Sequence, residues 1–102
     1  MEYRYELDDR AIADADHFFA RIAEHSPTRA ERWYRGLIAQ FESLKSFPLR
    51  CPRAPESERF GEDVRHLLYG KRQSTYRILF VVRGDAVTIL AIWHASRGPA
   101  EL

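Results

Sequence analysis

The sequence has one cysteine and no long hydrophobic run, and each of these two shortages excludes a class of protein. A single cysteine, Cys51, cannot form an internal disulfide or a zinc site built from paired cysteines, and it fits a reducing compartment. No apolar run approaches the roughly 20 residues of a membrane helix. The segment MEYRYELDDR lacks the basic and apolar regions of a signal peptide. We therefore expect a cytoplasmic protein with no disulfide framework, metal site or membrane contact.

The remaining composition is that of a globular domain. The chain has 102 residues, of which 45% are hydrophobic and 30% charged, so we expect one domain over residues 1–102. The net charge is +1, but residues 65–102 carry six Lys/Arg against two Asp/Glu. This excess is compatible with an anionic partner, but on charge alone we favour the simpler explanation that it keeps a strand face soluble.

A short strand and two amphipathic helices are predicted in the first half. Residues 2–7 alternate polar and apolar side chains, so Tyr3, Tyr5 and Leu7 share one strand face. Acidic residues at Asp8-Asp9 suit the start of a first helix, which His25-Ser26-Pro27 ends. The predicted apolar stripe of that helix is Ile12, Ala15, Phe19 and Ile22.

The second helix is predicted to open with a capping box at Thr28-Arg29-Ala30-Glu31 and to stop at Phe47-Pro48. Its apolar stripe is Trp33 or Tyr34, Leu37, Phe41 and Leu44. Residues 46–63 contain three prolines and no clear period, which is typical of a connector on the surface. Three strands follow, beginning with residues 64–69. We therefore predict an α+β fold of order β-α-α-β-β-β, an antiparallel sheet with the helical hairpin packed on one face.

The last two strands form a hairpin around Gly84-Asp85, which suits a two-residue loop. In that register Arg83 pairs with Ala86, Phe80 with Ile89, Ile78 with Ala91, and Tyr76 with Trp93. The face expected to pack on the helices is Tyr76, Ile78, Phe80, Val82, Val87, Ile89, Ala91 and Trp93.

The same register places two chemically active side chains on the other face. Arg77 pairs with Ile92, so His94 is its diagonal neighbour, and Arg97 follows just beyond the strand. An arginine can hold a phosphate and a histidine can move a proton, so the pair could bind RNA and assist attack by a 2′-hydroxyl. The alternative is structural, with His94 at a strand edge and Arg77 paired with an acid. The connector carboxylates Glu56, Glu58 and Glu62 could supply a catalytic base, but the sequence does not show whether any of them lies near this pair.

Three segments in this order resemble the RelE/ParE superfamily of toxins from bacterial type II toxin–antitoxin, or plasmid stabilization, systems. They are EDVRHLLYG, YRILFVV and VTILAIWHASR, and the resemblance covers nearly the whole chain. It implies a RelE/ParE-like fold, growth inhibition by a toxin that works without a cofactor, and protein–protein interaction with a cognate antitoxin. A homodimer and a heterotetramer with the antitoxin both stay open.

The superfamily has two kinds of target. RelE-like members cleave mRNA on the ribosome with several basic residues and a Tyr, His or Glu, whereas ParE-like members inhibit DNA gyrase. Here the 64–69 strand lacks a lysine pair and no tyrosine follows His94, so we expect a ParE-like toxin. A ribosome-dependent endoribonuclease and a non-toxic antitoxin-binding module are the alternatives, and whether the protein is an enzyme stays open. For a nuclease the catalytic candidates are Arg77, His94 and Arg97. The candidates for phosphate or partner binding are Arg65, Lys71, Arg72 and Arg83.

Overall fold

In the computed structural model, which describes residues 2–102, a helical hairpin packs on one face of a four-stranded sheet. The strands are β1 (Arg4–Leu7), β2 (Arg65–Tyr69), β3 (Tyr76–Arg83) and β4 (Ala86–His94). The helices are α1 (Asp9–His25), α2 (Pro27–Ser43) and α3 (Ser57–Phe60). Short 3-10 turns occur at Pro48–Arg50, Arg72–Ser74 and Ala95–Arg97. The predicted α+β element order is confirmed, with α3 as a short addition inside the connector.

The sheet is mixed and has the strand order β1-β4-β3-β2. The predicted antiparallel pairing holds for β2 with β3 and for β3 with β4, whereas β1 pairs parallel to β4. A parallel pair needs a long connection, and here the chain between β1 and β4 runs through the helical hairpin, the connector, β2 and β3. Tyr3, Tyr5 and Leu7 share the face that packs on the helices, as expected.

The helix boundaries differ from the predictions by a few residues. Ser26, not Thr28, caps α2: its hydroxyl accepts a hydrogen bond from the Arg29 N–H at 3.2 Å, and Pro27 occupies the first helical position. The predicted stripe of α1 is rotated, because Ala11, Ala15 and Phe18 are buried while Ile12 is 47% exposed. A fully buried Ala11 lets α1 lie close to the sheet. The predicted stripe of α2 is confirmed at Leu37, Phe41 and Leu44.

A β-bulge divides the β3–β4 hairpin into two halves with different registers. The predicted pairs hold from Arg83–Ala86 to Phe80–Ile89. Beyond them Leu79 pairs with Ala91, because Leu90 is an extra residue in β4. Every later pair is shifted by one residue, so the expected pairs Ile78–Ala91, Arg77–Ile92 and Tyr76–Trp93 are wrong. The observed pairs are Ile78–Ile92, Arg77–Trp93 and Tyr76–His94.

The shift exchanges the faces of the last residues of β4. Ile92 packs in the core beneath the helices, together with the correctly predicted Ile78, Phe80 and Ile89. Ala91 and Trp93, which were both expected there, lie on the opposite face. We call that opposite face the connector face, because it is covered by the connector and by residues 98–102, which we call the C-terminal segment. The covering residues include Ala54, Val64 and Ala100, all buried, so the connector forms a second core and is not simply a surface crossing.

Candidate functional site

Arg77 and His94 do not form a joint site, because the bulge places them on opposite faces of the sheet. Arg77 lies on the connector face and is only 8% exposed. Its guanidinium donates hydrogen bonds to both carboxylate oxygens of Glu56, at 2.7 and 2.8 Å, and its Nε–H donates to Nδ1 of His66 at 3.0 Å. The structural alternative for Arg77, pairing with an acid, is the arrangement observed. We call Glu56, Arg77 and His66 the clasp.

The clasp shifts the pKa values of two of its members in a consistent direction. Hydrogen bonding from Arg77 lowers the pKa of Glu56 to about 2, against an opposing contribution from burial. Burial, and then the positive charge of Arg77, lower the pKa of His66 below its usual value of 6.5. The ring of His66 is therefore neutral at pH 7, and its Nδ1 can accept the hydrogen bond from Arg77.

The clasp also holds the C-terminal segment against the sheet. The Ala100 N–H donates to the same Glu56 carboxylate at 2.8 Å. Two residues earlier, the Gly98 carbonyl accepts a hydrogen bond from the Trp93 indole at 2.9 Å. The guanidinium of Arg97 lies 5.7 Å from the Trp93 ring centre, within cation–π distance. The turn that carries Arg97 is thus fixed on both sides, by β4 and by the clasp.

On the helix side, His94 and Arg97 border a cleft of about 370 Å³ between the end of α1 and the end of β4. Its lining consists of Phe18, Arg21, Ile22, His25, Tyr76, His94, Ser96 and Arg97. The ring of His94 stacks edge-on against Tyr76 with 5.0 Å between ring centres. Nδ1 of His94 lies 2.6 Å from the hydroxyl of Ser96, which fixes the orientation of the imidazole. His94 and Arg97 therefore line the same cleft, and Arg77 is not among its lining residues.

The cleft is electropositive. Two arginines and two histidines line it, and no carboxylate is among its lining residues. Burial raises the pKa of Tyr76, so its phenol stays neutral and can donate a hydrogen bond. Phe18 and Ile22 add an apolar wall. This combination can bind an anionic group beside an apolar one.

The four basic residues predicted to bind phosphate or a partner are dispersed. Arg65 donates to the Cys51 carbonyl at 2.6 Å, so it holds the connector in place. Arg83 forms an exposed ion pair with Glu62 at 2.6 Å. Lys71 and Arg72 lie in the exposed turn between β2 and β3. None of the four is among the cleft's lining residues.

Sequence reasoning missed two residues of the cleft, and it named a third important residue, Glu56, without locating it. Arg21 and His25 line the cleft from the C-terminal part of α1, and His25 lies in the last turn, where the helix dipole favours a cation. Their spacing of four residues puts them on one helix face, which is a usable signal only once the neighbouring strand is known. Glu56 was one of three connector carboxylates, and its selection by Arg77 depends on how the connector folds.

Within residues 2–102, no three His, Cys, Asp or Glu side chains are grouped so as to hold a metal ion. None of the helices described for this stretch is both long and apolar enough to cross a membrane.

Comparison with known proteins adds independent information. Residues 5–99 match a family described as the ParE toxin of the type II toxin–antitoxin system parDE. A solved structure titled as a chromosomal ParDE TA system from P. aeruginosa has a similar fold, with a TM-score of 0.71 at 21% identity. The similarity covers 91% of this chain and 96% of that one. No curated protein matches the sequence.

Proposed function

Since this chain belongs to the ParE toxins of type II toxin–antitoxin systems, we propose that it arrests growth by inhibiting DNA gyrase in the cytoplasm. A cognate antitoxin neutralises it by binding the toxin directly. The electropositive cleft between α1 and β4 is the surface that contacts gyrase. Its four basic side chains, Arg21, His25, His94 and Arg97, recognise acidic groups on that target.

One observation carries the choice of gyrase over RNA. A ribonuclease needs a cation to hold the phosphate beside the group that transfers the proton. Arg77, the candidate for that role, is held by Glu56 and His66 on the face opposite His94. An RNA phosphate would have to displace a buried carboxylate to reach it, and the proton-transfer candidate would still be on the other side of the sheet.

A second candidate function is supported by the cleft itself. His25 and His94 both line it, and two imidazoles can serve as general base and general acid. Arg21 and Arg97 could then hold the phosphate in place of Arg77. The alternative of a ribosome-dependent endoribonuclease therefore rests on these four residues.

The experiment compares the two targets with one protein preparation. Purified wild-type protein is added to relaxed plasmid with gyrase and ATP, and separately to ribosomes translating a defined mRNA. We expect inhibition of supercoiling and no mRNA cleavage. Cleavage that falls by roughly 10²–10⁴-fold in His94→Ala would instead establish the nuclease. Harmless high-level expression with neither activity would indicate an antitoxin-binding module without toxicity.

A matched arginine provides the control for charge. Arg35 lies on α2 in an exposed pair with Glu31 and is not among the residues that line the cleft. Arg35→Ala removes the same charge as Arg97→Ala without touching the cleft. We expect Arg35→Ala to inhibit gyrase as the wild type does, whereas Arg97→Ala inhibits it more weakly. Equal loss in both variants would mean that net charge, not the cleft, determines inhibition.

A further inference from the structure

Phe47 has a backbone conformation and an exposure that are both unfavourable for its side chain. Its φ and ψ angles are 48° and 55°, in the left-handed region that bulky residues rarely adopt. Its side chain is also the most exposed of the large hydrophobic residues in the described chain, at 81%. Backbone strain of this kind persists only where the surrounding structure enforces it, and it often marks a binding surface.

The surrounding contacts do enforce this turn. The Arg50 guanidinium donates hydrogen bonds to the carbonyls of Ser46 and Phe47, at 2.7 and 3.0 Å. The Arg50 backbone N–H also donates to the Phe47 carbonyl at 3.0 Å. Just before the turn, the Lys45 carbonyl accepts a hydrogen bond from Tyr3 at 2.9 Å. Hydrogen bonds to three consecutive backbone carbonyls, two of them from Arg50, thus stabilise the turn in which the Phe47 ring is exposed to solvent.

The exposed ring belongs to a larger apolar surface, which we call the Phe47 patch. It borders a groove of about 560 Å³ lined by Tyr3, Phe47, Pro48, Leu49 and Arg50. Leu49 is 54% exposed, so two large apolar side chains face solvent beside the groove. Exposed apolar patches of this kind mark interaction sites, and aromatic residues are frequent anchors in them.

The charge of the patch indicates what kind of partner covers it. Arg50 is the charged residue among its lining, and it has no carboxylate partner within residues 2–102. A second copy docked by two-fold symmetry would bring the same surface, and its Arg50, against the first. A partner that combines apolar side chains with an acidic one matches the patch better.

The position of the patch separates it from the cleft. The patch follows the C-terminal end of α2, whereas the cleft lies at the C-terminal end of α1. Because α1 and α2 form a helical hairpin, these two ends are at opposite ends of the hairpin. A ligand on the patch therefore leaves the cleft open.

From these observations we infer that the Phe47 patch docks an amphipathic segment of the cognate antitoxin, with Phe47 and Leu49 as apolar contacts and an acidic side chain opposite Arg50. This inference rests on the proposed function, because it names the antitoxin as the occupant. It adds that the antitoxin is anchored at a surface distinct from the one that contacts gyrase.

The test uses Phe47→Gly, which removes the ring and relieves the backbone strain together. Glycine adopts positive φ without a steric penalty, so the urea midpoint of the free toxin should rise. The dissociation constant for the purified antitoxin encoded by the neighbouring gene should increase at least tenfold, measured by calorimetric titration. Inhibition of gyrase by the free toxin should stay at the wild-type level. Stability and partner affinity thus change in opposite directions.

Two further variants at the same position show whether the loss of affinity is caused by the loss of the aromatic ring. Phe47→Asn also suits the left-handed conformation and lacks the ring, so it should reproduce the loss of affinity. Phe47→Tyr keeps an aromatic ring on the same strained backbone, and it should retain most of the wild-type affinity.

Each contrary result identifies a different error. Unchanged antitoxin affinity in Phe47→Gly would overturn the inference while leaving the proposed function intact. Loss of gyrase inhibition with normal antitoxin affinity would make gyrase the occupant, and a wild-type dimer that Phe47→Gly separates would make it a second copy. Either result also overturns the inference. Failure of the wild-type protein to bind the antitoxin would remove both the inference and the proposed neutralisation.

Discussion

Arg77 and Glu56 form a buried bidentate ion pair that joins a central strand to the connector. Their two hydrogen bonds measure 2.7 and 2.8 Å, and the residues are 8% and 6% exposed. The same carboxylate accepts the Ala100 N–H, so one side chain holds the connector, β3 and the C-terminal segment together. A buried ion pair is costly to break from one side, because the remaining charge has no partner.

Glu56→Gln should therefore destabilise the fold strongly. The substitution keeps the shape of the side chain but leaves the Arg77 guanidinium buried without a counter-charge. We expect a loss of about 3 kcal/mol in the free energy of unfolding, measured by urea denaturation.

Two comparisons isolate the buried charge as the cause. Glu62→Gln breaks the exposed pair with Arg83 and should barely move the urea midpoint. The double variant Glu56→Leu/Arg77→Met removes both buried charges and should be more stable than Glu56→Gln alone. A Glu56→Gln protein as stable as the wild type would show that the pair contributes nothing.

The clasp also predicts how stability depends on pH. The pKa of His66 is lowered in the folded protein, so the unfolded chain binds a proton more readily and stability falls as pH drops below about 6.5. Glu56, with a folded pKa of about 2 against 4.5, adds a second loss between pH 4.5 and pH 2. Both groups contribute full stability above these windows. Urea midpoints of the wild type should thus decline in two stages on acidification.

Single substitutions assign the two stages. His66→Gln should remove the dependence that begins near pH 6.5 and keep the one below pH 4.5. Glu56→Gln should flatten the lower stage. A wild-type profile that is flat between pH 6.5 and pH 5, with His66→Gln superimposed on it, would contradict the lowered pKa of His66.

Gly36→Ala should destabilise the protein although alanine is the better helix former. A Cβ atom at position 36 would lie 1.9 Å from the hydroxyl oxygen of Tyr69. That hydroxyl donates a hydrogen bond to the Trp33 carbonyl at 2.9 Å, so the ring is displaced only by breaking this contact between α2 and β2. We expect a loss of about 1–3 kcal/mol by urea denaturation.

A double-mutant cycle tests whether Tyr69 is the obstacle. In a Tyr69→Ala background the space beside position 36 is open, and Gly36→Ala should then stabilise α2 by up to about 1 kcal/mol. The sign of the Gly36→Ala effect should therefore reverse between the two backgrounds. The same sign in both would place the cause elsewhere in the helix.

Local sequence patterns were sufficient for much of the fold. The alternation in β1, the +3/+4 spacing in α2 and the two-residue loop at Gly84-Asp85 predict elements that the structure confirms. These features depend on neighbours within a few residues. The predicted stripe of α1 was correct at Ala15 but displaced by one residue elsewhere, with Ala11 and Phe18 buried in place of Ile12 and Phe19. Phe18 and Phe19 are adjacent and equally apolar, so hydropathy alone does not choose between them.

The bulge explains why the candidate site was predicted incorrectly. Side chains alternate between faces with a period of two, so one extra residue reverses every later assignment. Leu90 and Ala91 are both apolar, and both lie on the connector face, so hydropathy does not reveal which residue is extra. The second apolar face that accommodates them is built by the distant residues Ala54, Val64 and Ala100.

The cleft could not be predicted because it joins residues that are far apart in the sequence. His94 ends β4 and Arg97 follows in the next turn, whereas Arg21 and His25 lie in the C-terminal part of α1. Their proximity depends on the way the α1–α2 hairpin lies across the sheet. Pairwise spacing along the chain does not encode that arrangement.

Arg21 provides a specific test of the cleft, because it lies on α1 and outside the strand segments from which the other candidate residues were chosen. If the cleft binds acidic groups of gyrase, Arg21→Ala and Arg97→Ala should each raise the concentration needed for half-inhibition by about tenfold, which corresponds to about 1.4 kcal/mol. Inhibition should weaken less steeply with added salt in both variants, since each has lost one charge that salt screens. Titrations of supercoiling activity at several salt concentrations measure both effects. Complete inhibition at saturating toxin should be retained, because a recognition surface alters affinity alone. A variant that binds gyrase normally but no longer inhibits it would contradict this role and would make the cleft part of a reaction centre.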